Sequence, residues 1–212
     1  MNVAAISDIH GYLPDTPPCD LLLIGGDVCP VFDHGLDFQR RWLETEFAPW
    51  LSRQPAESIV GIAGNHDFVA EVDEELMRSL PWSYLVDETI RVDGLAVHGS
   101  PWTVTFMDWA FMRGDDELVS TWARIPEDTD ILVTHGPPFG HGDLVINGNR
   151  GGSVSLLHRL EELPRLRLHI CGHIHEGGGA RSRVGSAEVV NVSYVDFDYR
   201  PARSATLFEL GP

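Results

Sequence analysis

The sequence has few cysteines and lacks any long apolar run. Its three cysteines, Cys19, Cys29 and Cys171, are an odd number in 212 residues, so we expect buried free thiols rather than a disulfide framework. No segment approaches the roughly 20 apolar residues that span a bilayer, and the first residues lack the basic region of a signal peptide. We therefore expect no membrane partner and a cytoplasmic location.

Basic residues are also scarce. Lysine and arginine number 15 against 32 aspartates and glutamates, which gives a formal net charge of −17. This balance argues against binding to a nucleic-acid polymer, which needs a basic surface. It does not argue against a small anionic substrate, because bound divalent cations reverse the local charge. The length and the 43% hydrophobic content suit one globular domain over residues 1–212.

Short β-rich apolar runs alternate with helical patterns along the chain. The hydrophobic pattern predicts helices over residues 35–51, 72–79 and 153–163, with Ser153 as a cap of the last. Because several predicted strands are apolar throughout, we expect them to be covered on both faces. This order predicts an α/β fold with its helices outside the sheet. The predicted strands are residues 3–6, 21–24, 59–63, 95–98, 131–134, 166–171, 188–192 and 206–210.

Five of these strands are followed by aspartate, asparagine or histidine, nearly always beside glycine. Ligands of α/β sheets bind outside the carboxyl ends of the strands, and carboxylates and imidazoles converging there are what a divalent metal site requires. Each fragment alone is more often a turn or a structural histidine, but five at strand ends favour a metal site. The fragments are Ser7-Asp8-Ile9-His10, Gly25-Gly26-Asp27, Gly64-Asn65-His66-Asp67, His135-Gly136 and Gly172-His173-Ile174-His175.

Together these motifs resemble the signature of the calcineurin-like metallophosphoesterases. Further segments look like the small metallophosphoesterase-domain-containing phosphodiesterases: Gly99-Ser100-Pro101-Trp102, Thr134-His135-Gly136-Pro137-Pro138, Gly142-Asp143-Leu144 and Glu176-Gly177 after His175. The resemblance implies two mixed β-sheets packed as a sandwich and flanked by α-helices. It also implies a phosphodiesterase that acts on a small nucleotide-like or cyclic-nucleotide diester through a hydroxide bridging two metals.

The resemblance also assigns the metal ligands. It implies that Asp27 bridges two divalent or trivalent ions, since a bridging anion reduces the repulsion between neighbouring cations. Manganese is the expected ion, with iron, zinc or cobalt as alternatives that suit the same nitrogen and oxygen donors. Asp8, His10, Asp27 and His175 match the ligands of one ion, and Asp27, Asn65, His135 and His173 match those of the other.

His66 matches the family's histidine that contacts phosphate and protonates the leaving group, and an ordinary imidazole pKa near neutrality suits that task. Asn65, His66 and Arg150 are the predicted substrate-binding residues. In related protein phosphatases an acidic residue orients this histidine, but the matching position here is Pro30. The sequence therefore leaves open what orients His66, and it argues against a protein phosphatase.

The other histidines are predicted to be structural or on the surface, although His98 and His141 each neighbour a loop after a strand. Packing is the safer interpretation of the aromatic stretch, with a wall against which a base stacks as the alternative. The segment 99–112 is also a candidate for a contact between copies in a homo-oligomer. The residues concerned are His34, His98, His141, His158 and His169, and the aromatics Trp102, Phe106, Trp109 and Phe111.

Three other functions compete with a phosphodiesterase. A phosphomonoesterase would use the same dinuclear site, and the motifs do not separate the two. A nucleotide-binding module with little turnover is known among relatives that have glycine at the position of His173, but this chain keeps the histidine. Serine hydrolysis through Ser7 or Ser100 is disfavoured because the sequence has no Gly-x-Ser-x-Gly elbow.

Overall fold

The computed structural model describes residues 1–211, and these form thirteen strands and six α-helices. The strands are β1 (Asn2–Ile6), β2 (Cys19–Ile24), β3 (Ala56–Gly61), β4 (Ser83–Tyr84), β5 (Glu88–Val92), β6 (Leu95–Ser100), β7 (Thr103–Val104), β8 (Met112–Arg113), β9 (Ile131–Thr134), β10 (Leu168–Cys171), β11 (Arg181–Val184), β12 (Ala187–Asn191) and β13 (Thr206–Glu209). The helices are α1 (Leu36–Trp42), α2 (Ala48–Leu51), α3 (Phe68–Val72), α4 (Glu74–Ser79), α5 (Asp115–Trp122) and α6 (Val154–Glu161).

Two mixed sheets contain most of the strands. The first has the order β13-β1-β2-β3-β4, and all its neighbours are parallel except the antiparallel edge strand β13. The second has the order β11-β12-β10-β9-β6-β5, with a parallel centre and an antiparallel strand at each edge. Strands β7 and β8 form a separate parallel ribbon.

The two sheets pack face to face, and helices cover their outer faces. In β1, Val3 and Ala5 point into the core between the sheets, whereas Ala4 and Ile6 point to the core beneath α1–α4. A third core lies between the second sheet and α5 and α6, around Trp122. Because side chains alternate along a strand, a strand covered on both faces must be apolar at every position. The predicted sandwich flanked by helices is therefore confirmed.

Predicted and observed elements differ mainly at boundaries and at short edge strands. The predicted helix 35–51 is continuous, but a π-helical stretch, Leu43–Phe47, joins α1 to α2. The predicted helix 72–79 is divided at Asp73, whose side chain accepts from the Leu76 amide and caps α4. Ser153 caps α6 in the same way, as predicted. The hydrophobic pattern does not predict β4, β5, β7, β8, β11 and α5, which are mostly short or polar, and it includes only the last residue of α3.

The sheet arrangement brings the carboxyl ends of both sets of parallel strands together. Beyond the end of β1, the Ser7 amide donates to the Val192 carbonyl, and Tyr194 donates back to Ser7, so the chain after β1 pairs with the chain after β12. Loops that follow five strands consequently converge at one edge of the sandwich. None of the helices within residues 1–211 has the length and apolar character required to cross a bilayer.

Candidate metal centre

Seven predicted ligands lie on the loops that follow β1, β2, β3, β9 and β10, and the structure brings them to the converged edge. Three of the ligand atoms form a compact group: a carboxylate oxygen of Asp8 and ring nitrogens of His10 and His175 lie within 4.8 Å of one another. Nε2 of His10 is 3.1 Å from Nε2 of His175, which is in turn 3.3 Å from Oδ1 of Asp8. Converging imidazole nitrogens and a carboxylate fit a divalent cation of the transition series.

A second group contains Asp8, Asp27 and His135, again within 4.8 Å of one another. Oδ2 of Asp27 is 3.4 Å from Nε2 of His135 and 3.7 Å from Nε2 of His10, so one carboxylate oxygen faces both groups. Oδ1 of Asp27 instead accepts from the His66 amide at 2.7 Å, which fixes the orientation of the carboxylate. This is the geometry that a bridging ligand needs.

Asn65 and His173 complete the predicted set in different ways. Oδ1 of Asn65 is 2.9 Å from Nε2 of His135, and Asn65 is buried. The ring centroid of His173 is 5.2 Å from that of His135, but His173 belongs to neither compact group. Its amide donates to both oxygens of Asp8, at 3.0 and 3.1 Å. The backbone at His173 therefore positions Asp8, while its half-buried ring lies beside the second group.

Backbone strain is concentrated on these loops. Asp8, His10, Asp27 and His173 all have positive φ, between 44° and 66°, a conformation that residues other than glycine adopt rarely. Such strain persists only where surrounding contacts over-determine it, and it clusters at functional sites. Glycine is required at Gly172, because a Cβ there would collide with the carboxylate of Asp8. The loops are thus shaped to bring polar side chains together at the expense of local stability.

Burial and neighbouring charges shift the pKa values of the candidate ligands. Burial would raise the pKa of Asp27, but the neighbouring His135 and His66 outweigh it and hold that pKa well below its ordinary value. Burial would lower the pKa of His135, but the charge of Asp27 raises it to about 9. Burial dominates at His10 and His173 and lowers the pKa of each to about 3, so both rings are neutral at pH 7. Ionised carboxylates and neutral imidazoles are the forms that bind metals, so His135, which is protonated at pH 7 without a metal, would release a proton on binding one.

His66 lies at the border of the metal centre and is 4% exposed. Its ring packs edge-on against His10, with 5.1 Å between centroids, and at 4.4 Å from the half-buried ring of Trp109. Nδ1 of His66 is 3.3 Å from Nε2 of His34, a histidine that the sequence analysis did not place at the site. The nearby Pro30 side chain packs against Gly11.

Two other residues at the site were missed. Gln39 is fully buried on α1, where its side chain donates to the His66 carbonyl and accepts from the Val69 amide. The one sign of this role in the sequence is that a glutamine lies on the apolar stripe of a predicted helix. Tyr199 packs edge-on against both His10 and His175, with centroids 4.9 Å apart in each pair. Nothing in its local sequence marks this role, because a long loop brings it to the site.

A cavity of about 580 Å³ opens beside the metal centre. Asp27, Asn65, His66, His173 and His175 form its floor. Apolar side chains dominate its walls, and Asn147, Asn149, Arg150 and Glu176 contribute polar groups on one side. Arg150 forms an ion pair with the buried Asp143 at 2.7 Å. The apolar wall contains Val104, Phe106, Trp109, Val145, Ile174, Phe197 and Tyr199.

The remaining histidines lie outside this cavity. His98 is buried and bonds to the hydroxyl of Thr89, whereas His141 bonds to Ser182. His169 is fully buried in β10 against Thr134, and His158 is exposed on α6. Cys19, Cys29 and Cys171 are buried free thiols, as expected. In the aromatic stretch, Trp102 and Phe111 pack in the core, but Phe106 and Trp109 line the cavity.

Comparison with known proteins identifies the family of the chain. Residues 1–177 match the calcineurin-like phosphoesterase family, and the chain belongs to that family. A dinuclear metal site is typical of the family, and the two ligand groups described above are candidates for it. All seven predicted ligands fall within the matched residues. His34 falls within the matched residues, whereas Tyr199 lies beyond them.

Two kinds of relatives are informative. Metallophosphoesterase domain-containing protein 1 of Homo sapiens and of Mus musculus is 34% identical over 212 aligned residues, which include 85% of this chain. The alignment spans 64% of the length of those relatives. A dimetal phosphatase from Danio rerio superposes with a TM-score of 0.57, covers 90% of this chain and 86% of its own, and is 12% identical. At that identity the superposition establishes a shared fold.

Proposed function

We propose that the protein is a phosphodiesterase that hydrolyses a small diester, with a nucleotide-like or cyclic-nucleotide compound as the substrate class. One observation carries the proposal: Oδ2 of Asp27 faces two adjoining ligand groups, and each group has a member, Asp27 or His175, that lines a cavity of about 580 Å³ with a mainly apolar wall. Cavities of several hundred cubic ångströms hold drug-sized or cofactor-sized ligands. The cavity therefore has room for an organic group next to the proposed phosphate site.

The charge of the cavity favours a diester over a monoester. A phosphodiester carries one negative charge at pH 7, whereas a monoester carries nearly two. Among the described residues that line the cavity, Arg150 is the single arginine or lysine, and the buried Asp143 already neutralises it. The bound metals would supply most of the remaining positive charge. A monoanionic substrate needs less of it, which supports the diester, and a phosphomonoesterase remains the alternative to be tested.

The cavity wall supports a planar organic group. Phe106 packs edge-on against Trp109, with 5.3 Å between ring centroids, and Phe197 and Tyr199 also line the space. Aromatic faces of this kind stack with bases irrespective of their sequence. Asn147 and Asn149 also line the cavity and offer amide donors and acceptors. We propose that these groups hold a base, while Arg150 and Asn65 contact the phosphate or sugar.

The proposed roles at the reacting phosphate follow from the candidate ligands and hydrogen-bonding groups of the site. Two bound ions, for which manganese is our proposal, would act as Lewis acids and lower the pKa of a water that attacks phosphorus. Asp8, His10, Asp27 and His175 would hold one ion, and Asp27, Asn65, His135 and His173 the other. His66 would donate a proton or hydrogen bond to the leaving oxygen, and the apolar wall would exclude bulk water.

Two further proposals concern the whole molecule. We propose that residues 1–212 act as one functional unit, because ligands from both sheets build the centre and β13 adds to the first sheet beside β1. We also propose a cytoplasmic location, which the three buried free thiols support, since reducing compartments keep cysteines unpaired.

Hydrolysis of bis(p-nitrophenyl) phosphate and of p-nitrophenyl phosphate tests the proposal. Chelated protein should be inactive, and added Mn²⁺ should restore turnover with a kcat/KM at least about tenfold higher for the diester, equivalent to about 1.4 kcal/mol. A higher value for the monoester would favour the phosphomonoesterase. No turnover with Mn²⁺, Zn²⁺, Fe²⁺ or Co²⁺, together with tight nucleotide binding, would favour the binding module.

A further inference from the structure

Pro30, which stands where related protein phosphatases have an acidic residue, cannot orient His66. Pro30 has no polar side-chain atom, and it packs on Gly11. Among the described residues, the hydrogen-bond partner of Nδ1 of His66 is His34, whose Nε2 lies 3.3 Å away. His34 comes from the loop between β2 and α1, four residues after Pro30. His34 therefore lies where a side chain can orient the ring of His66.

Local structure holds His34 in this place. Oδ1 of Asp33 accepts from the Gly35 amide at 2.8 Å and closes a turn around His34. The His34 ring lies against Phe68, with 4.9 Å between centroids, and Phe68 follows the His66 loop at the start of α3. On the buried side, Gln39 ties α1 to the His66 carbonyl. The segment 33–39 thus contacts both the ring and the backbone of residue 66.

The direction of this hydrogen bond decides which nitrogen of His66 carries the proton. A neutral imidazole has one N–H donor and one acceptor nitrogen. If His66 donated through Nδ1, its Nε2 would present a lone pair to the cavity, where it would repel phosphate oxygens. A donor on His34 avoids this, because it makes Nδ1 the acceptor and leaves the N–H at Nε2. Nε2 makes no hydrogen bond with the residues that the structure describes.

We propose that His34 is a positioning residue, which donates to Nδ1 of His66 and holds His66 in the tautomer that presents Nε2–H to the substrate. This inference rests on the proposed role of His66 at the leaving oxygen. It differs from the arrangement that the family resemblance implied, in which an acidic residue accepts from the histidine. Because the partner of Nδ1 is a donor and not an acceptor, His66 keeps its proton on Nε2 and presents it to the substrate in a fixed orientation.

Two substitutions separate the hydrogen bond from packing. His34→Gln keeps an N–H donor near the position of Nε2, whereas His34→Phe keeps a ring against Phe68 and removes the donor. With bis(p-nitrophenyl) phosphate and Mn²⁺, we expect His34→Phe to lower kcat about tenfold, the effect of one lost hydrogen bond, with KM and bound metal unchanged. His34→Gln should stay within about threefold of the wild type. His158→Phe changes an exposed histidine on α6 and is the matched control.

A double-mutant cycle tests whether His34 acts through His66. His34→Phe/His66→Ala should be no slower than His66→Ala alone. Equal losses in the two backgrounds, wild-type kcat for His34→Phe, or a His34→Gln variant as slow as His34→Phe would each overturn the inference. If His66→Ala itself has wild-type kcat, the proposed role of His66 fails. If His66→Ala has a reduced kcat but His34→Phe has the wild-type kcat, the inference about His34 is wrong while the proposed role of His66 stands.

Nitrogen NMR on ¹⁵N-histidine-labelled protein gives a second readout. The spectrum of the wild type should show His66 with its proton on Nε2, and His34→Gln should keep that pattern. In His34→Phe we expect a mixture of the two tautomers. A wild-type His66 with its proton on Nδ1 would contradict the inference whatever the kinetics.

Discussion

Nδ1 of His135 donates to the carbonyl oxygen of Gly25 at 2.9 Å, a hydrogen bond between residues 110 positions apart in the chain. Gly25 follows β2 in the first sheet, and His135 follows β9 in the second. The bond therefore ties the two sheets at the edge where the ligands converge. It also directs Nε2 of His135 towards Asp27 and Asn65. One side chain thus serves both the sandwich and the metal centre.

These two tasks of His135 can be separated by substitution. His135→Asn places an amide donor near the position of Nδ1 but has no atom at Nε2, whereas His135→Ala lacks both. We expect both variants to lose at least about 100-fold in kcat/KM, because both lack the metal ligand. In the chelated proteins, His135→Ala should melt about 2–4 °C below His135→Asn, since a hydrogen bond is worth about 1 kcal/mol. Equal melting temperatures would contradict the cross-sheet role.

Asp27 is expected to be essential for both metal positions, because its Oδ2 faces both ligand groups. Asp27→Asn keeps the size of the side chain and removes its charge. We expect bound manganese, measured by elemental analysis after gel filtration, to fall from about two ions per chain to less than one, with activity reduced at least about 100-fold. Asp93→Asn is the matched control, because Asp93 also has a positive φ but is exposed on a hairpin. Retention of two ions by Asp27→Asn would show that Asp27 is not the bridge.

The convergence of the candidate ligands was largely predictable, because they lie in short motifs directly after strands. Asp8 and His10, or His173 and His175, lie two residues apart directly after apolar strands, and parallel strands bring such ends together. His34 and Tyr199 were not predictable in this way, since each reaches the site through a loop whose path depends on tertiary contacts. Edge strands such as β11 were missed because their exposed polar residues break the apolar pattern. Asp73 ends α3 and caps the start of α4, and hydrophobic periodicity does not show a boundary of this kind.

Phe106 offers a test of substrate class that leaves the metal centre intact. Its side chain is 55% exposed and lines the cavity next to Trp109. If it stacks on a base, Phe106→Ala should raise KM for a nucleoside 5′-(p-nitrophenyl) phosphate about fivefold or more, since base stacking contributes about 1–3 kcal/mol. KM for methyl p-nitrophenyl phosphate should not change, because that diester has no base. Equal changes for both diesters would argue against stacking.

Phe32→Ala is the control for that measurement. Phe32 is 79% exposed and packs against Phe38, outside the residues that line the cavity. We expect this variant to have wild-type KM values for both diesters. A rise in KM for the nucleoside diester would mean that general loss of exposed aromatic surface, rather than a specific wall, affects binding.

His169 should make the protein less stable in mild acid. It is fully buried, its Nε2 donates to Thr134 at 2.8 Å, and Thr134 donates onward to the Gly136 carbonyl. Its Nδ1 has no hydrogen-bond partner among the described residues, so a second proton would be buried without an acceptor. Burial accordingly lowers the pKa of His169 from 6.5 to about 3. The folded protein therefore keeps His169 neutral at pH values where the unfolded chain protonates it.

The sign of the effect follows from this difference. Above pH 6.5 neither state binds the proton, so the full stability is present, and it falls as the pH drops towards 3 because the unfolded state is then favoured by protonation. At pH 5 the loss from this one group should be about 2 kcal/mol. His169→Gln keeps a donor to Thr134 and does not titrate. Urea unfolding of chelated protein at pH 7 and pH 5 should therefore show a smaller loss for His169→Gln than for the wild type, whereas the exposed control His158→Gln should behave like the wild type. Parallel losses in all three proteins would mean that other groups, such as the carboxylates of the metal centre, account for the acid sensitivity.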